Sequence, residues 1–312
     1  MNNLIVCFNA VAPQFLILTA GYLSRRFGLL PAKNVPVLTS VAYKLLIFFQ
    51  VFNSLISVDL ETALRPGLMA FMGLGMAGGT LLAIPVMRRL EPDNRSRGVL
   101  VDAVFHINYI IMAMPIVTSL MGPSGGAVAA AVAVVTIPTE NVLAVLVLTH
   151  YNGGKVSLKE ILLGIIKNPL VLGCLGGFAV LLLNLELPSF LQSTCSQLSA
   201  ACTPICLLGL GATIRFEDVH ASLHRILIAV AARLVVVPAI LIPLAVVLGF
   251  RGTDLAVITV GFSSSVAATA FPVCQQLGGD SKLVANIVVF TSVLACFCIF
   301  LYTFILKELA LI

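Results

Sequence analysis

Apolar stretches of about twenty residues alternate with short charged or turn-forming breaks along the whole chain. A helix needs roughly 20 apolar residues to cross a ~30 Å hydrocarbon core. Ten such runs can be marked, at residues 4–24, 36–57, 67–87, 98–121, 125–149, 161–184, 189–214, 222–249, 253–276 and 283–306. They predict an all-α polytopic membrane protein with ten transmembrane helices. Breaks such as 122–124 leave no room for a soluble domain.

Two runs share a further pattern. Residues 105–122 overlay residues 262–279 at a constant offset of 157, so that Phe105 meets Phe262, Ala113 meets Ala270, Pro115 meets Pro272 and Gly122 meets Gly279. Proline removes a backbone donor and clashes with the preceding turn, so the fourth and ninth helices are expected to be kinked or broken. At an offset of 156, Pro13 meets Pro169, Gly21 meets Gly177 and Phe48 meets Pro204. Each half holds an odd number of runs, so the second copy must enter the membrane from the opposite side. The expectation is a five-plus-five inverted repeat, residues 1–152 and 153–312. In that architecture, substrate binds near the bilayer midplane at discontinuous helices.

Composition places the chain in lipid: 60% of its 312 residues are hydrophobic and only 10% charged, against roughly 25% charged in soluble domains. Basic residues follow the odd-numbered runs (Arg25, Arg26, Arg88, Arg89, Arg95, Arg97), whereas Arg65, Arg251 and Lys307 stand opposite. By the positive-inside rule both termini face outward, and the net charge of +5 belongs to cytoplasmic loops rather than to a nucleic-acid site. The first run lacks a basic leader and is read as a retained helix. The cysteines lie in or at the ends of apolar runs without metal-ligand spacing, so neither a disulfide nor a metal site is expected.

Polar residues inside the runs carry the candidate chemistry. A charge at the bilayer centre costs about 2.5–3.5 kcal/mol even on the lenient insertion scale. Asp102 and His106 share a helix face, and Glu140 lies deep in the fifth run; any of the three is a candidate for taking up a proton. The competing expectation puts Asp102 near the cytoplasmic headgroups, facing water or a loop arginine. For Glu140 the rival is a structural ion pair with Lys44 or Arg233. Lys44 can alternatively snorkel, and Arg233 either pairs with an acid or attracts an anion. Asn108 is expected beside the first break as substrate contact or helix cap, with Asn141 near it. Ser263, Ser264 and Ser265 either satisfy freed backbone groups, line a cavity or pack helices. Gln14, after Pro13, is a further candidate contact.

Several motifs together carry a family resemblance: Asn108-Tyr-Ile-Ile-Met-Ala-Met-Pro115, Ile137-Pro138-Thr139-Glu140-Asn141, Lys167-Asn168-Pro169, Thr203-Pro204 with the run to Gly211, Arg233-Leu-Val-Val-Val-Pro238 and Leu277-Gly-Gly-Asp280. In order and spacing the chain resembles the auxin efflux carrier family of membrane transporters. The resemblance implies a secondary active transporter of the cell membrane, not an enzyme, in which broken helices four and nine cross. It implies a small organic anion as substrate, an auxin-like carboxylate or a dicarboxylate. The resemblance supports Asn108, Pro115, Asn141, Ser264 and Ser265 as candidate substrate-binding residues, the internal repeat adds Pro272, and the ionisable residues within the runs add Glu140, Asp102 and His106 as candidates for coupling. It also implies alternating access by one helical group moving against another, and a homodimer.

Two departures stand out. The family's second-helix proline falls where this chain has Phe48, and its ninth-helix proline falls at Ser264 or Ser265, with Pro272 later. The second break is therefore expected either at Pro272 or near the serines. No cofactor is expected beyond a coupling proton or sodium ion. A sodium-coupled carrier like the bile acid symporters, and a channel, remain open.

Overall fold

The computed structural model describes residues 2–56, 65–152, 169–183, 185–213 and 216–312. The start of the sixth apolar run and the Lys167-Asn168 motif lie outside these residues, as does the side chain of Gln14. Helix α1 is Asn2–Arg26. Helix α2 comprises Val35–Val41, a wide π turn at Ala42–Leu46, and Ile47–Ile56. Helix α3 is Pro66–Leu90. The fourth helix is divided into α4a, Asn94–Phe105, and α4b, Tyr109–Gly122. Gly122, at a positive φ of 76°, then turns the chain into α5, Ser124–Asn152. Helices α6, Pro169–Leu182, and α7, Ser189–Thr213, follow. Helix α8 runs through Phe216–Ala231, a π turn at Ala232–Val236, and Val237–Val247. The ninth is again divided, into α9a, Gly252–Ser263, and α9b, Ala270–Gln276. Helix α10 is Ser281–Glu308.

The molecule is all-helical among the described residues apart from one isolated bridge. Among the described residues, six continuous helices are long and apolar enough to cross a membrane. The distribution of side chains suits lipid rather than water. Leu74, Leu81, Leu82 and Val247 are largely exposed, whereas Asp102, His106, Glu140 and Arg233 are buried. In hydrocarbon the exposed leucines cost little, while polar groups must find partners inside the protein.

Proline acts in two different ways here. In α4b and α8 a π turn ends two residues before a proline, at Ala113 before Pro115 and at Val236 before Pro238. One extra residue in the turn moves the carbonyls away from the proline ring, so the helix bends without stopping. The carbonyl of Leu234, which Pro238 cannot bond, accepts a hydrogen bond from the Tyr302 hydroxyl of α10 at 2.7 Å. Tyr302→Phe is therefore expected to lower stability by about 1 kcal/mol or somewhat more, read as a lower thermal midpoint in detergent. Combining it with Pro238→Ala should remove most of that effect, because the alanine has a backbone N–H of its own to offer the Leu234 carbonyl. In α2 the π turn persists although Phe48, not proline, stands two residues beyond it.

The helices fall into two groups. One holds α1, α2, α6 and α7: α1 packs along α7, and α6 along α2. The packing is close enough that glycine is required at the crossing points, where Gly211 lies on the Leu18 carbonyl and Gly173 on that of Phe48. The other group is α3, α4a, α4b, α5, α8, α9a, α9b and α10. Contacts between the groups run mainly through α5, α4b and α10.

Candidate functional site

The fourth helix opens well before the proline expected to break it, and the ninth opens at the serines, one of the two places where its break was expected. In the fourth helix the non-helical residues are His106, Ile107 and Asn108, well before Pro115. In the ninth they are 264–269, starting at Ser264 rather than at Pro272. Pro272 is the third residue of α9b, where its missing N–H would have had no intrahelical partner anyway. Ser264 can end the helix because its hydroxyl replaces a lost backbone bond. Ser264 Oγ donates to the Gly261 carbonyl at 2.8 Å.

The two breaks meet as a short antiparallel pair. Ile107 and Val266 form the bridge; the Asn108 amide donates to the Ser265 carbonyl at 2.9 Å, and the Ala267 amide to the His106 carbonyl at 3.2 Å. The Asn108 side-chain Nδ2 donates to Ser265 Oγ at 3.1 Å, across a sequence separation of 157. That separation equals the offset at which the two segments overlay, so the residues related by the repeat are also the ones joined at the centre of the pairing. Backbone groups that an interrupted membrane helix would leave open are thus partly satisfied by the other interruption, and the Val266 amide by the Thr291 hydroxyl of α10.

Arg233 completes the junction. Fully buried, it lies in the π turn of α8 and donates to the carbonyls of Val104 at 2.9 Å, Ser264 at 3.0 Å and Gly261 at 3.3 Å, and to Ser264 Oγ at 3.3 Å. The expected ion pair between Arg233 and Glu140 is therefore not made: the guanidinium is engaged by carbonyls at the ends of α4a and α9a. Lys44 is exposed on the face of α2 and does not meet Glu140 either.

Asp102 differs from the expectation of a headgroup-facing carboxylate. It is buried, and its Oδ1 lies 3.1 Å from His106 Nδ1, one helical turn away. The other ring nitrogen, Nε2, lies 3.4 Å from the Thr269 hydroxyl in the second break. Asp102, His106 and Thr269 thus form a buried polar chain from α4a to the break of the ninth helix.

Beside the junction is a small cavity of about 40 Å³, bounded by Gln50, Asn108, Glu140, Asn141, Thr203 and Thr269 together with apolar side chains such as Ile107 and Ile137. Glu140 is buried, and its Oε2 has no hydrogen-bond partner. Gln50 Nε2 donates to Thr203 Oγ1 at 3.0 Å, joining α2 to α7 on the opposite wall. The cavity therefore lies between the two helical groups, with α2 and α7 on one side and α4b, α5 and the ninth-helix break on the other. Its volume accommodates water but not an organic acid.

The sequence-predicted residues divide accordingly. Asn108, Asn141 and Glu140 line the cavity. His106 approaches it through Thr269, and Asp102 stands behind His106. Ser264 and Ser265 are fully buried in the junction itself. Pro115 is exposed on α4b, and Pro272 is buried within α9b; neither lines the cavity. Sequence reasoning did not single out Thr203 and Thr269. Thr203 precedes a proline in a motif that otherwise signals only helix packing, and Thr269 follows the serine run at a distance set by the length of the break.

A profile of the membrane transport protein family matches residues 6–303, nearly the whole chain. The chain belongs to this auxin efflux carrier-like family of transporters. A relative, an uncharacterized transporter of Methanothermobacter thermautotrophicus, is 24% identical over 307 residues, covering 95% of this chain and 97% of its own length. The family membership and the apolar helices make this a multi-pass membrane transport protein.

Proposed function

We propose that the protein is a secondary active transporter of small organic carboxylates that works by alternating access and is coupled to protons through Glu140. The observation that carries this reading is the cavity between the two helical groups, where a buried carboxylate with an unpartnered oxygen faces amide and hydroxyl side chains. Substrate would enter beside Asn108 and Asn141, whose side-chain amides donate to a carboxylate. The start of α4b adds the partial positive charge of a helix N-terminus. Gln50 and Thr203 would close the site from the α2–α7 side. Ser264, Ser265, Pro115 and Pro272 would shape the broken helices rather than touch the substrate.

Ionised Glu140 and an anionic substrate repel one another in so small a space. Protonation of Glu140 removes the repulsion, so anion and proton bind together, and by linkage each favours the other. His106 and Arg233 are the basic groups within electrostatic reach of Glu140, and Asp102 is the other acid. The Asp102–His106–Thr269 chain offers the proton a route between the α4a end and the cavity. The present cavity is too small for the substrate, which is in keeping with an occluded state that opens when the groups shift.

The same reading treats residues 1–152 and 153–312 as inverted repeats. The coincidence of the pairing separation with the sequence offset supports this, as does the exchange of α1–α7 for α6–α2 contacts. The basic residues at helix ends favour both termini outside the cell membrane.

Binding of malonate, malate and indole acetate to the purified protein, followed by calorimetry, tests the site. For the acid that binds, Asn108→Ala should weaken affinity roughly ten- to a hundredfold, the equivalent of losing one hydrogen bond to a charged group. An unchanged affinity in a folded Asn108→Ala protein would remove Asn108 from the site.

A further inference from the structure

We infer that Arg233 is a tethered cation filling an oxygen-lined position between the ends of α4a and α9a that would otherwise suit a free monovalent cation, so that the protein requires no sodium for its fold or its coupling. The four acceptors converging on its guanidinium are neutral oxygens: three carbonyls and one hydroxyl. They come from the ends of two half-helices, α4a and α9a. Convergent carbonyl and hydroxyl oxygens are the ligand type that proteins present to hard cations.

Charge balance points the same way. Each helix C-terminus carries roughly half a negative charge, so two of them facing one point amount to about one elementary charge. One guanidinium neutralises that pair with no carboxylate in direct contact. An isolated buried arginine would be costly, because removing a guanidinium from water carries a large desolvation penalty. The helix ends offset that penalty, and the arginine in turn satisfies carbonyls that have no water to bond. The π turn at Ala232–Val236 widens α8 at the level of Arg233. Glu140, although in electrostatic reach, does not bond Arg233, so its second oxygen stays available to the cavity.

The consequence for coupling rests on the proposed function: with the cation supplied by the chain, the proton on Glu140 is the remaining mobile charge. The cation assignment itself is tested independently of any substrate. The thermal midpoint of the full-length protein in detergent can be followed with a thiol-reactive dye that reports exposure of the buried Cys202, Cys206 and Cys274. Choline chloride, sodium chloride and potassium chloride are compared at equal ionic strength, each with and without added guanidinium at low millimolar concentration.

Wild type should melt within about 1 °C of the same midpoint in all of these, since no site is left to fill. Arg233→Ala should melt at least about 5 °C lower in choline. Sodium or potassium should recover part of that loss saturably, and guanidinium should recover more of it, because the vacated oxygens then bind a free cation. Arg233→Lys retains a cation and should remain indifferent to sodium. A saturable rise of the wild-type midpoint with sodium would overturn the assignment, and so would an Arg233→Ala protein whose midpoint ignores all three cations relative to choline. If Arg233→Ala does not fold, the wild-type titration and Arg233→Lys decide: sodium dependence in either contradicts a tethered cation.

Discussion

Gly211→Ala is expected to be among the most destabilising single substitutions in this protein. A Cβ at Gly211 would overlap the Leu18 carbonyl of α1, and one at Gly21, on the other side of the same crossing, would overlap the Leu208 carbonyl. Backbone atoms cannot rotate away as a side chain can, so relief requires moving one helix off the other. Overpacking of this kind costs about 3 kcal/mol or more. For a chain of this size that corresponds to a midpoint lowered by roughly 6–12 °C, or to protein that does not survive purification. Gly67→Ala is the matched control, because its Cβ would meet open space and its φ is ordinary. Equal midpoints for Gly211→Ala and Gly67→Ala would show that α1 and α7 are not in close backbone contact.

Glu140→Gln is expected to uncouple transport rather than abolish binding. Glutamine keeps the shape of the protonated acid and can never become an anion. In the wild type, affinity for malonate should rise as pH falls, because binding favours the protonated carboxyl. Two unit charges sharing a site in an effective dielectric of ~20 repel by roughly 2–3 kcal/mol, equivalent to a change in affinity of about thirty- to a hundred-and-fiftyfold across the titration. The variant should bind with the low-pH affinity throughout, leaving only the slope that comes from titration of malonate itself. In vesicles it should exchange labelled for unlabelled malonate yet fail to accumulate it against a gradient. A Glu140→Gln protein that retains the full wild-type pH dependence would place the coupling group elsewhere, with the buried Asp102–His106 pair the next candidate.

Much of the fold was legible in the sequence because lipid imposes a simple rule on helix length. Among the described residues the helices fall within or close to the apolar runs, and the two segments that overlay at an offset of 157 are the two that meet. Local proline logic was less informative. Pro115 and Pro238 follow π turns, and Pro272 sits where its missing donor is harmless, so none of them marks where the chain leaves the helix. The breaks at His106–Asn108 and from Ser264 onward are held by pairing with each other, with Ser264 Oγ and Arg233 bonding freed carbonyls, and a hydrophobicity profile registers none of this. Charge was only partly legible. That Asp102, Glu140 and Arg233 lie inside helices is plain from position, but their partners depend on tertiary geometry. Asp102 turned out to bond His106, and Arg233 to bond carbonyls from two helices distant in sequence. Asn108 was recoverable because the repeat and the family pattern both single it out; Thr203 stands in a family motif that did not distinguish a site residue from a packing one, and Thr269 has no such signal.

Uptake of labelled malonate into vesicles containing the purified protein tests the central proposal most directly. With the outside made acidic relative to the inside, saturable accumulation is predicted, collapsed by a protonophore and unchanged when sodium is replaced by choline. Flux that neither saturates nor responds to the proton gradient would contradict a proton-coupled carrier and favour a channel, whereas accumulation that requires sodium would contradict both the role given to Glu140 and that given to Arg233.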